Sequence, residues 1–223
     1  SSYMSAILIE MILNKYYFDR DKYKISKIEF YNSKIVDDKE YRIFLPPKNF
    51  IKKNYNFDSH DFFPLSLNRN KKIIVCNENN FWLVQNTDKY GFINRNEDWD
   101  RKNDIIFVGD SYAQGQCVKN NENLKYLFEK KNLNILNLAI GGSGALISNA
   151  IYREYSQKDV KTIIWFFYEG NDLIELEDEI SNVFLRKYLD NRLFKHNLIQ
   201  KNKELDLFLE DYHNKLVSKS KKI

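Results

Sequence analysis

From about residue 101 onward, short apolar runs alternate with segments whose apolar residues have a helical spacing. Three runs show little alternation between polar and apolar residues, which is typical of strands covered on both faces: IIFV at 105–108, NILNLAI at 134–140 and KTIIWFFY at 161–168. Helical segments lie between these runs, and helices between successive strands suit right-handed parallel crossovers. The pattern predicts an α/β fold with a doubly wound, flavodoxin-like parallel sheet in a three-layer α/β/α arrangement.

The first hundred residues follow a different pattern. Five apolar residues of the opening segment share one helical face: Met4, Ile7, Leu8, Met11 and Ile12. Short β-like runs follow at 40–45, 72–76 and 81–85, separated by turn-forming clusters. We therefore expect a mixed α+β appendage over residues 1–100, including an N-terminal helix. An α/β domain over residues 101–223, ending in a helical segment, would follow it.

Composition narrows the classes of function. Hydrophobic residues make up 43% of the chain and charged residues 30%, which is enough apolar material for a core. The 35 basic residues balance 31 acidic ones and form no stripe interleaved with aromatic side chains, so we expect no nucleic-acid partner. The opening segment is shorter than the roughly 20 apolar residues of a membrane span. Membrane association is therefore expected only through an anchor further upstream, and the oligomeric state stays open.

The chain contains two cysteines, Cys76 and Cys117. Their isolated positions match neither a metal-ligand spacing nor a disulfide framework. We interpret Cys117, which lies shortly after a Gly-Asp-Ser sequence, as a packing residue.

Polar and glycine residues follow each of the three apolar runs, at the point where each predicted strand ends. These are Gly-Asp-Ser at 109–111, Gly-Gly-Ser-Gly at 141–144 and Gly-Asn-Asp at 170–172. Ser111 and Gly142 are 31 residues apart, and Gly142 and Asn171 are 29 apart, so each interval spans about one strand and one helix. In such sheets ligands bind outside the carboxyl ends of the strands. We expect the three loops to open on the same edge.

The residue types in these loops suit acyl transfer. That chemistry needs a hydroxyl nucleophile on a rigid turn and several hydrogen-bond donors around the oxyanion that develops. Ser111 would supply the nucleophile and one backbone N–H. Gly142 would supply a second N–H without a Cβ in the way, and Asn171 would supply a neutral carboxamide donor.

The three loops resemble the sequence blocks of the SGNH/GDSL family of esterases and lipases. FVGDSYAQG is similar to the first block, NLAIGGSG to the second and EGNDL to the third, and the resemblance covers roughly residues 90 to 175. It includes GFINR, which is similar to a segment found in bacterial envelope members. The resemblance implies that Ser111 is the nucleophile, that Gly142 and Asn171 complete the oxyanion hole, and that no metal or organic cofactor is needed. The compartment stays open, with the cell envelope or periplasm favoured over the cytoplasm.

The family also carries an Asp-x-x-His block that supplies the general base, and this sequence departs from it. Only His196 and His213 follow Asn171. We expect the chain to end before that block. Two alternatives stay open: His213 acts as the base with Glu210 or Asp211 as its orienting carboxylate, or the protein keeps the pocket without turnover.

Other interpretations of the same loops also stay open. Asp110 or Ser111 could simply cap the following helix. The sequence GGSGA is similar to a nucleophile elbow, which would make Ser143 the nucleophile of an α/β-hydrolase. The expected function is a serine-dependent hydrolase of O-acyl esters, or an acyltransferase, acting on a small-molecule or glycan ester. The alternative from another class is a non-catalytic module that binds acylated glycans.

Overall fold

The computed structural model of the chain describes residues 26–51, 61–78 and 81–220. The helix predicted for the opening segment lies outside these residues. The first part of the chain forms α1 (Lys27–Ile35), β1 (Tyr41–Ile43), a 3-10 helix (Pro47–Phe50), β2 (Lys72–Glu78), β3 (Phe81–Asn86) and a second 3-10 helix (Asn96–Trp99). The second part forms β4 (Ile105–Gly109), α2 (Ser111–Gln114), α3 (Leu124–Glu129), β5 (Ile135–Asn137), α4 (Ala145–Tyr155), β6 (Thr162–Phe166), α5 (Asp172–Ser181), α6 (Val183–Asp190) and α7 (Asn202–Ser220).

The N-terminal strands form a three-stranded sheet in the order β1-β2-β3, in which β1 is parallel and β3 antiparallel to β2. The three strands predicted in this region are therefore confirmed. Ser26 begins α1 with a capping box: its hydroxyl accepts the Glu29 N–H, and the Glu29 carboxylate accepts the Ser26 N–H. Tyr31 of α1 packs in a small buried cluster with Ile43 and Ile74, so α1 covers this sheet.

A second sheet has the order β5-β4-β6, and both of its pairings are parallel. All five residues of the central strand β4 are buried. Ile106 shares a core cluster with Ile147 of α4, whereas Phe107 packs edge-on against Phe128 of α3 with ring centroids 5.3 Å apart. Alternate residues of a strand point to opposite faces, so β4 has a helix on each face. The chain is α/β with a small parallel sheet, as the sequence predicted.

The third predicted strand, β6, is more exposed than the sequence predicted. An apolar run without alternation favours a strand covered on both faces, but Ile163 and Trp165 of β6 are each more than 40% exposed. Within the described residues β6 pairs only with β4, so it is an edge strand. The prediction of full coverage was wrong because the apolar pattern reports a strand's composition and not how many neighbours it has.

The helices after β6 are shorter than the continuous helical pattern of residues 172–196 suggests. Asn182 separates α5 from α6, and its side chain accepts the N–H groups of Phe184 and Leu185. The segment that follows α6 is anchored by Glu154 of α4, whose carboxylate accepts the N–H groups of His196 and Leu198. The break arises because a capping asparagine stabilises a new helix start.

The two cysteines form a disulfide that joins the N-terminal sheet to the segment after α2. Cys76 in β2 and Cys117 are bonded, with their Cα atoms 5.7 Å apart. The interpretation of Cys117 as a packing residue was therefore wrong. The two residues are 41 positions apart, and only the packing of β2 beside the α2 segment brings them together.

One hydrophobic cluster contains residues from both halves of the chain. Phe50 packs against Phe208 and Tyr212 of α7, with ring centroids 5.5 and 4.8 Å apart, and the same cluster includes Ile106 and Ile147. The division into an appendage and a domain at residue 100 stays a prediction. None of the helices in the described ranges combines the length and apolar character needed to cross a bilayer.

Candidate active site

The three loops that carry the predicted site residues begin around one residue, Gly109. In the β4–β6 ladder Gly109 is paired with Phe166, and its carbonyl accepts the N–H of Ile140 at 3.2 Å. Gly109 has φ +141°, and a Cβ there would lie 2.4 Å from the Phe166 carbonyl oxygen. Glycine therefore permits the close approach of the strand ends from which the loops of Ser111, Gly142 and Asn171 emerge.

Ser111 is the first residue of the short helix α2. The carboxylate of the preceding Asp110 caps this helix by accepting the Tyr112 N–H at 3.0 Å, and Gly115 ends it in a left-handed conformation. The capping interpretation therefore applies to Asp110. Ser111 is partly exposed, and its hydroxyl makes no hydrogen bond to another described residue. The hydroxyl is thus free to meet a ligand at the strand ends.

Gly142 lies in the turn between β5 and α4 with φ +76°. Its N–H makes no hydrogen bond within the described part of the chain, whereas the next N–H, that of Ser143, binds the Ile140 carbonyl at 3.1 Å. A Cβ on Gly142 would lie 2.6 Å from the Cε of Lys48, so the lysine side chain runs directly over this glycine. Lys48 is itself paired with Glu175 at 3.6 Å.

Asn171 occupies the residue before α5, but its side chain makes no capping hydrogen bond. Asp172 folds back in its place, and its carboxylate accepts the Tyr168 N–H at 2.9 Å. The Asn171 carboxamide is partly exposed and binds no other residue within the described ranges. It is therefore available as a donor at the sheet edge.

Contacts between the loops show that they lie together. The ring of Tyr112, next to Ser111, lies 5.8 Å from the ring of Tyr168 in the loop that carries Asn171. The loop of Gly142 contacts the α2 turn through a hydrogen bond from the Gly141 N–H to the Gln114 side chain at 2.5 Å. The structure thus brings all three predicted site loops to one edge of the parallel sheet.

Buried carboxylates surround this edge, and they were not identified from the sequence. Burial raises the pKa of Asp172, and the nearby Asp110 carboxylate raises it further. Burial also raises the pKa of Glu179 to about 7, although its carboxylate accepts the N–H groups of Gly144, Leu146 and Ile147. Asp172, Glu175 and Glu179 recur at helical spacing on α5, and this pattern is the sequence signal that could have indicated them.

His213 is fully buried and serves the N-terminal sheet. Its Nε2 accepts the N–H of Ile43 at 3.2 Å, and its ring packs edge-on against Tyr31. Burial lowers its pKa to about 4. Glu210, which the sequence suggested as its orienting carboxylate, is instead paired with Arg42. The expectation that His213 could activate Ser111 is therefore corrected, because its accepting nitrogen is used and solvent does not reach it.

His196 is likewise part of a buried aromatic group. Its ring packs against Phe194 and Tyr188, with centroids 4.8 and 5.4 Å away, and burial lowers its pKa to about 4. The hydrogen bonds and ring contacts of both described histidines are made with residues outside the three site loops. The third histidine, His60, lies outside the described residues.

Ser143, the alternative nucleophile, is fully buried. Its hydroxyl has no hydrogen-bond partner among the described residues and faces the interior. An ester carbonyl would not reach it without opening the turn, whereas Ser111 is open to solvent. The geometry therefore favours Ser111 over Ser143.

Within the ranges that the structure describes, no group of three or more His, Cys, Asp or Glu side chains could hold a metal ion. Comparison of the chain with protein-family models, with curated proteins and with solved structures finds no match.

Proposed function

We propose that the protein is a serine-dependent hydrolase of O-acyl carboxylic esters that works through an acyl-enzyme. The same first step would serve an acyltransferase. The observation that carries the proposal is the meeting of three strand ends at Gly109, from which three contacting loops emerge. These loops carry the Ser111 hydroxyl, the Gly142 N–H and the Asn171 carboxamide, none of which has a hydrogen-bond partner among the described residues.

Each of the three groups has a defined role in this reaction. The Ser111 Oγ forms a bond to the ester carbonyl carbon while its proton passes to a general base other than His196 and His213, which are buried in other contacts. The negative charge that develops on the carbonyl oxygen is stabilised by the N–H groups of Ser111 and Gly142 and by the Asn171 carboxamide. Collapse of the tetrahedral intermediate breaks the bond to the alcohol, which leaves with a proton, and water or a second alcohol then releases the acyl group.

The arrangement of strands and helices supports a doubly wound fold and the SGNH/GDSL resemblance as parts of the proposal. The order β5-β4-β6 means that the chain crosses first to one side of β4 and then to the other. In doubly wound sheets this reversal creates the crevice in which ligands bind. The three motif loops open at the carboxyl ends of these strands, where that family's residues would be expected to act.

A second candidate function is supported by the positions of the histidines. Ser111 needs a base to take its proton, and both described histidines are buried in other contacts. A chain that relies on these two histidines alone would bind an ester in the same crevice without turning it over. A binding module for acylated glycans is therefore the alternative.

The test is hydrolysis of p-nitrophenyl acetate together with covalent labelling by a fluorophosphonate. We expect the wild-type protein to hydrolyse the ester and to be labelled, and Ser111→Ala to lose both. Ser143→Ala is the matched control and should retain both. Removal of the side-chain donor in Asn171→Ala should lower kcat by about 10²–10³-fold.

Two other outcomes would point elsewhere. Labelling that survives Ser111→Ala and disappears in Ser143→Ala would contradict the proposal. The absence of turnover and labelling, together with Ser111-dependent binding of an O-acetylated xylo-oligosaccharide in calorimetry, would establish the binding module instead.

A further inference from the structure

Two buried glutamine side chains connect the serine turn to the glycine turn. The Gly141 N–H donates to Oε1 of Gln114 at 2.5 Å, and Nε2 of Gln114 donates to Oε1 of Gln85 at 2.9 Å. Nε2 of Gln85 in turn donates to the Gly115 carbonyl at 3.1 Å. Neither glutamine is exposed to solvent. These hydrogen bonds thus connect Gly141, the residue before Gly142, with Gly115, the residue that terminates α2.

The backbone groups at the two ends allow only one orientation of these amides. The Gly141 N–H can only donate, so Gln114 must present its oxygen there and its NH₂ group to Gln85. The Gly115 carbonyl can only accept, so Gln85 must present its NH₂ group to Gly115 and its oxygen to Gln114. Any flipped amide would place two donors or two acceptors face to face in a buried site, which is costly. The network therefore holds a single geometry.

Side-chain packing around Gly141 constrains the same turn. A Cβ at Gly141 would lie 2.2 Å from Oε1 of Gln116 and 3.1 Å from Oε1 of Gln114. The absence of a side chain at Gly141 thus lets both glutamines approach its backbone. Cys117, two positions after Gly115, is tied to β2 by the disulfide, so the end of α2 is held by two separate links to the N-terminal sheet.

We propose that Gln114, supported by Gln85, is a positioning residue that sets the distance between the Ser111 hydroxyl and the Gly142 N–H. This inference rests on the proposed function. Gln114 lies in the same helical turn as Ser111, and its side chain holds the residue next to Gly142. An oxyanion donor acts at about 2.7–3.1 Å, and a misplacement of about 1 Å costs roughly 100-fold in rate. The link therefore controls a distance to which catalysis is sensitive.

The test compares Gln114→Met and Gln85→Met with the wild type in p-nitrophenyl acetate hydrolysis. Methionine keeps the length of the side chain but removes every hydrogen bond that the glutamine amide makes. We expect kcat to fall roughly 100-fold in Gln114→Met with little change in KM, because the oxyanion contact is made fully only in the transition state. Gln85→Met keeps the Gln114–Gly141 bond and should lose less.

Asn103→Leu is the matched control. Asn103 is also a buried carboxamide, and it binds the Asp98 carbonyl and Gln157 at the opposite, amino end of β4. This variant should lose a similar amount of stability in urea unfolding without a change in kcat. Wild-type kcat in Gln114→Met, or an equal fall of kcat in Asn103→Leu, would overturn the inference. If Gln114→Met does not fold, Gln85→Met is compared with Asn103→Leu instead: a fall of kcat smaller than roughly 100-fold but larger than in Asn103→Leu is expected, and wild-type kcat in Gln85→Met would overturn the inference.

A second readout separates this inference from the proposed function. Hydrogen exchange of the Gly141 and Gly142 amides, followed by NMR, does not depend on activity. Faster Gly141 exchange and a displaced Gly142 resonance in Gln114→Met, but not in Asn103→Leu, would support the positioning link even if no ester is hydrolysed. Unchanged exchange and resonances in Gln114→Met would refute it whatever the activity.

Discussion

The carboxylate of Glu179 in α5 accepts a hydrogen bond from the backbone N–H of Gly144 at 2.8 Å. Its second oxygen accepts the N–H groups of Leu146 and Ile147, so one side chain caps the start of α4 from a different helix. The residue before α4 is Gly144, which has no side chain that could cap. Glu179 thus satisfies donors that the helix itself leaves unpaired.

Replacement of this carboxylate should destabilise the protein in a pH-dependent way. Burial raises the pKa of Glu179 from 4.5 to about 7, so its contribution to stability is full below about pH 4.5 and is lost as the pH rises through 7. Glu179→Gln cannot titrate. The free energy of unfolding of the wild type relative to Glu179→Gln should therefore fall by about 2–3 kcal/mol between pH 5 and pH 8. Urea unfolding at the two pH values measures this difference.

Glu177→Gln is the control for this prediction because Glu177 lies exposed on the same helix. Its stability relative to the wild type should hardly change with pH. A difference between wild type and Glu179→Gln that is the same at both pH values would contradict the assigned role of burial.

The buried His213 should make the protein sensitive to acid. Burial lowers its pKa from 6.5 to about 4, so its contribution to stability is present above pH 6.5 and is lost as the pH falls through 4. Protonation would also turn Nε2 from an acceptor into a donor facing the Ile43 N–H. His213→Gln offers a neutral acceptor, and between pH 7 and pH 5 it should lose about 2 kcal/mol less stability than the wild type. Lys203→Gln, exposed on the same helix, should behave as the wild type does.

The disulfide should determine the number of free thiols and contribute to the free energy of unfolding. Titration of the unfolded wild-type protein with Ellman's reagent should find no free thiol before reduction and two after it, since the chain has two cysteines. The bond closes a segment of 41 residues, and its removal in Cys76→Ser/Cys117→Ser should cost about 4 kcal/mol in the free energy of unfolding. Dithiothreitol should destabilise the wild type but leave the double variant unchanged. Two thiols without reduction would refute the bond.

Two glycines of the site should respond differently to the same substitution. Gly109→Ala would push a Cβ against the Phe166 carbonyl, which belongs to a paired strand and cannot give way, so we expect a loss on the order of 3 kcal/mol. Gly142→Ala would meet only the flexible end of Lys48, so its cost should be about 1 kcal/mol, from the positive φ. Urea unfolding of both variants tests the close approach of the strand ends. Equal costs would contradict it.

Much of the secondary structure followed from local patterns. The apolar runs at 105–108 and 161–168 predicted β4 and β6, and α4 lies between the second and third runs, where a helical segment was expected. The middle run, 134–140, formed a strand only over Ile135–Asn137. Leu138 and Ile140 still donate their N–H groups to the Phe107 and Gly109 carbonyls, so the chain stays beside β4 up to the turn at Gly141 although the strand itself ends at Asn137. Local spacing therefore predicted which elements form better than it predicted where they end.

Pairings that the sequence did not indicate depend on contacts between distant parts of the chain. Glu179 and Gly144 are 35 positions apart, and His213 and Ile43 are 170 apart. Helical spacing puts Glu179 on one face with Asp172 and Glu175 but does not tell whether that face is buried. Likewise, no local signal distinguishes a buried histidine from one on an exposed, charged helix. The pairing appears only when the elements pack.

By itself the sequence determined the strands, the helices and the three loops that carry Ser111, Gly142 and Asn171, because backbone conformation responds to the spacing of apolar residues and to glycine over a few positions. The tertiary structure alone decided that β6 is an edge strand, that Cys76 meets Cys117, that both described histidines are buried and that Gln114 holds Gly141. These features depend on which surfaces pack against one another and exclude water. Because such packing involves whole helices and strands, it produces no periodic pattern in the sequence.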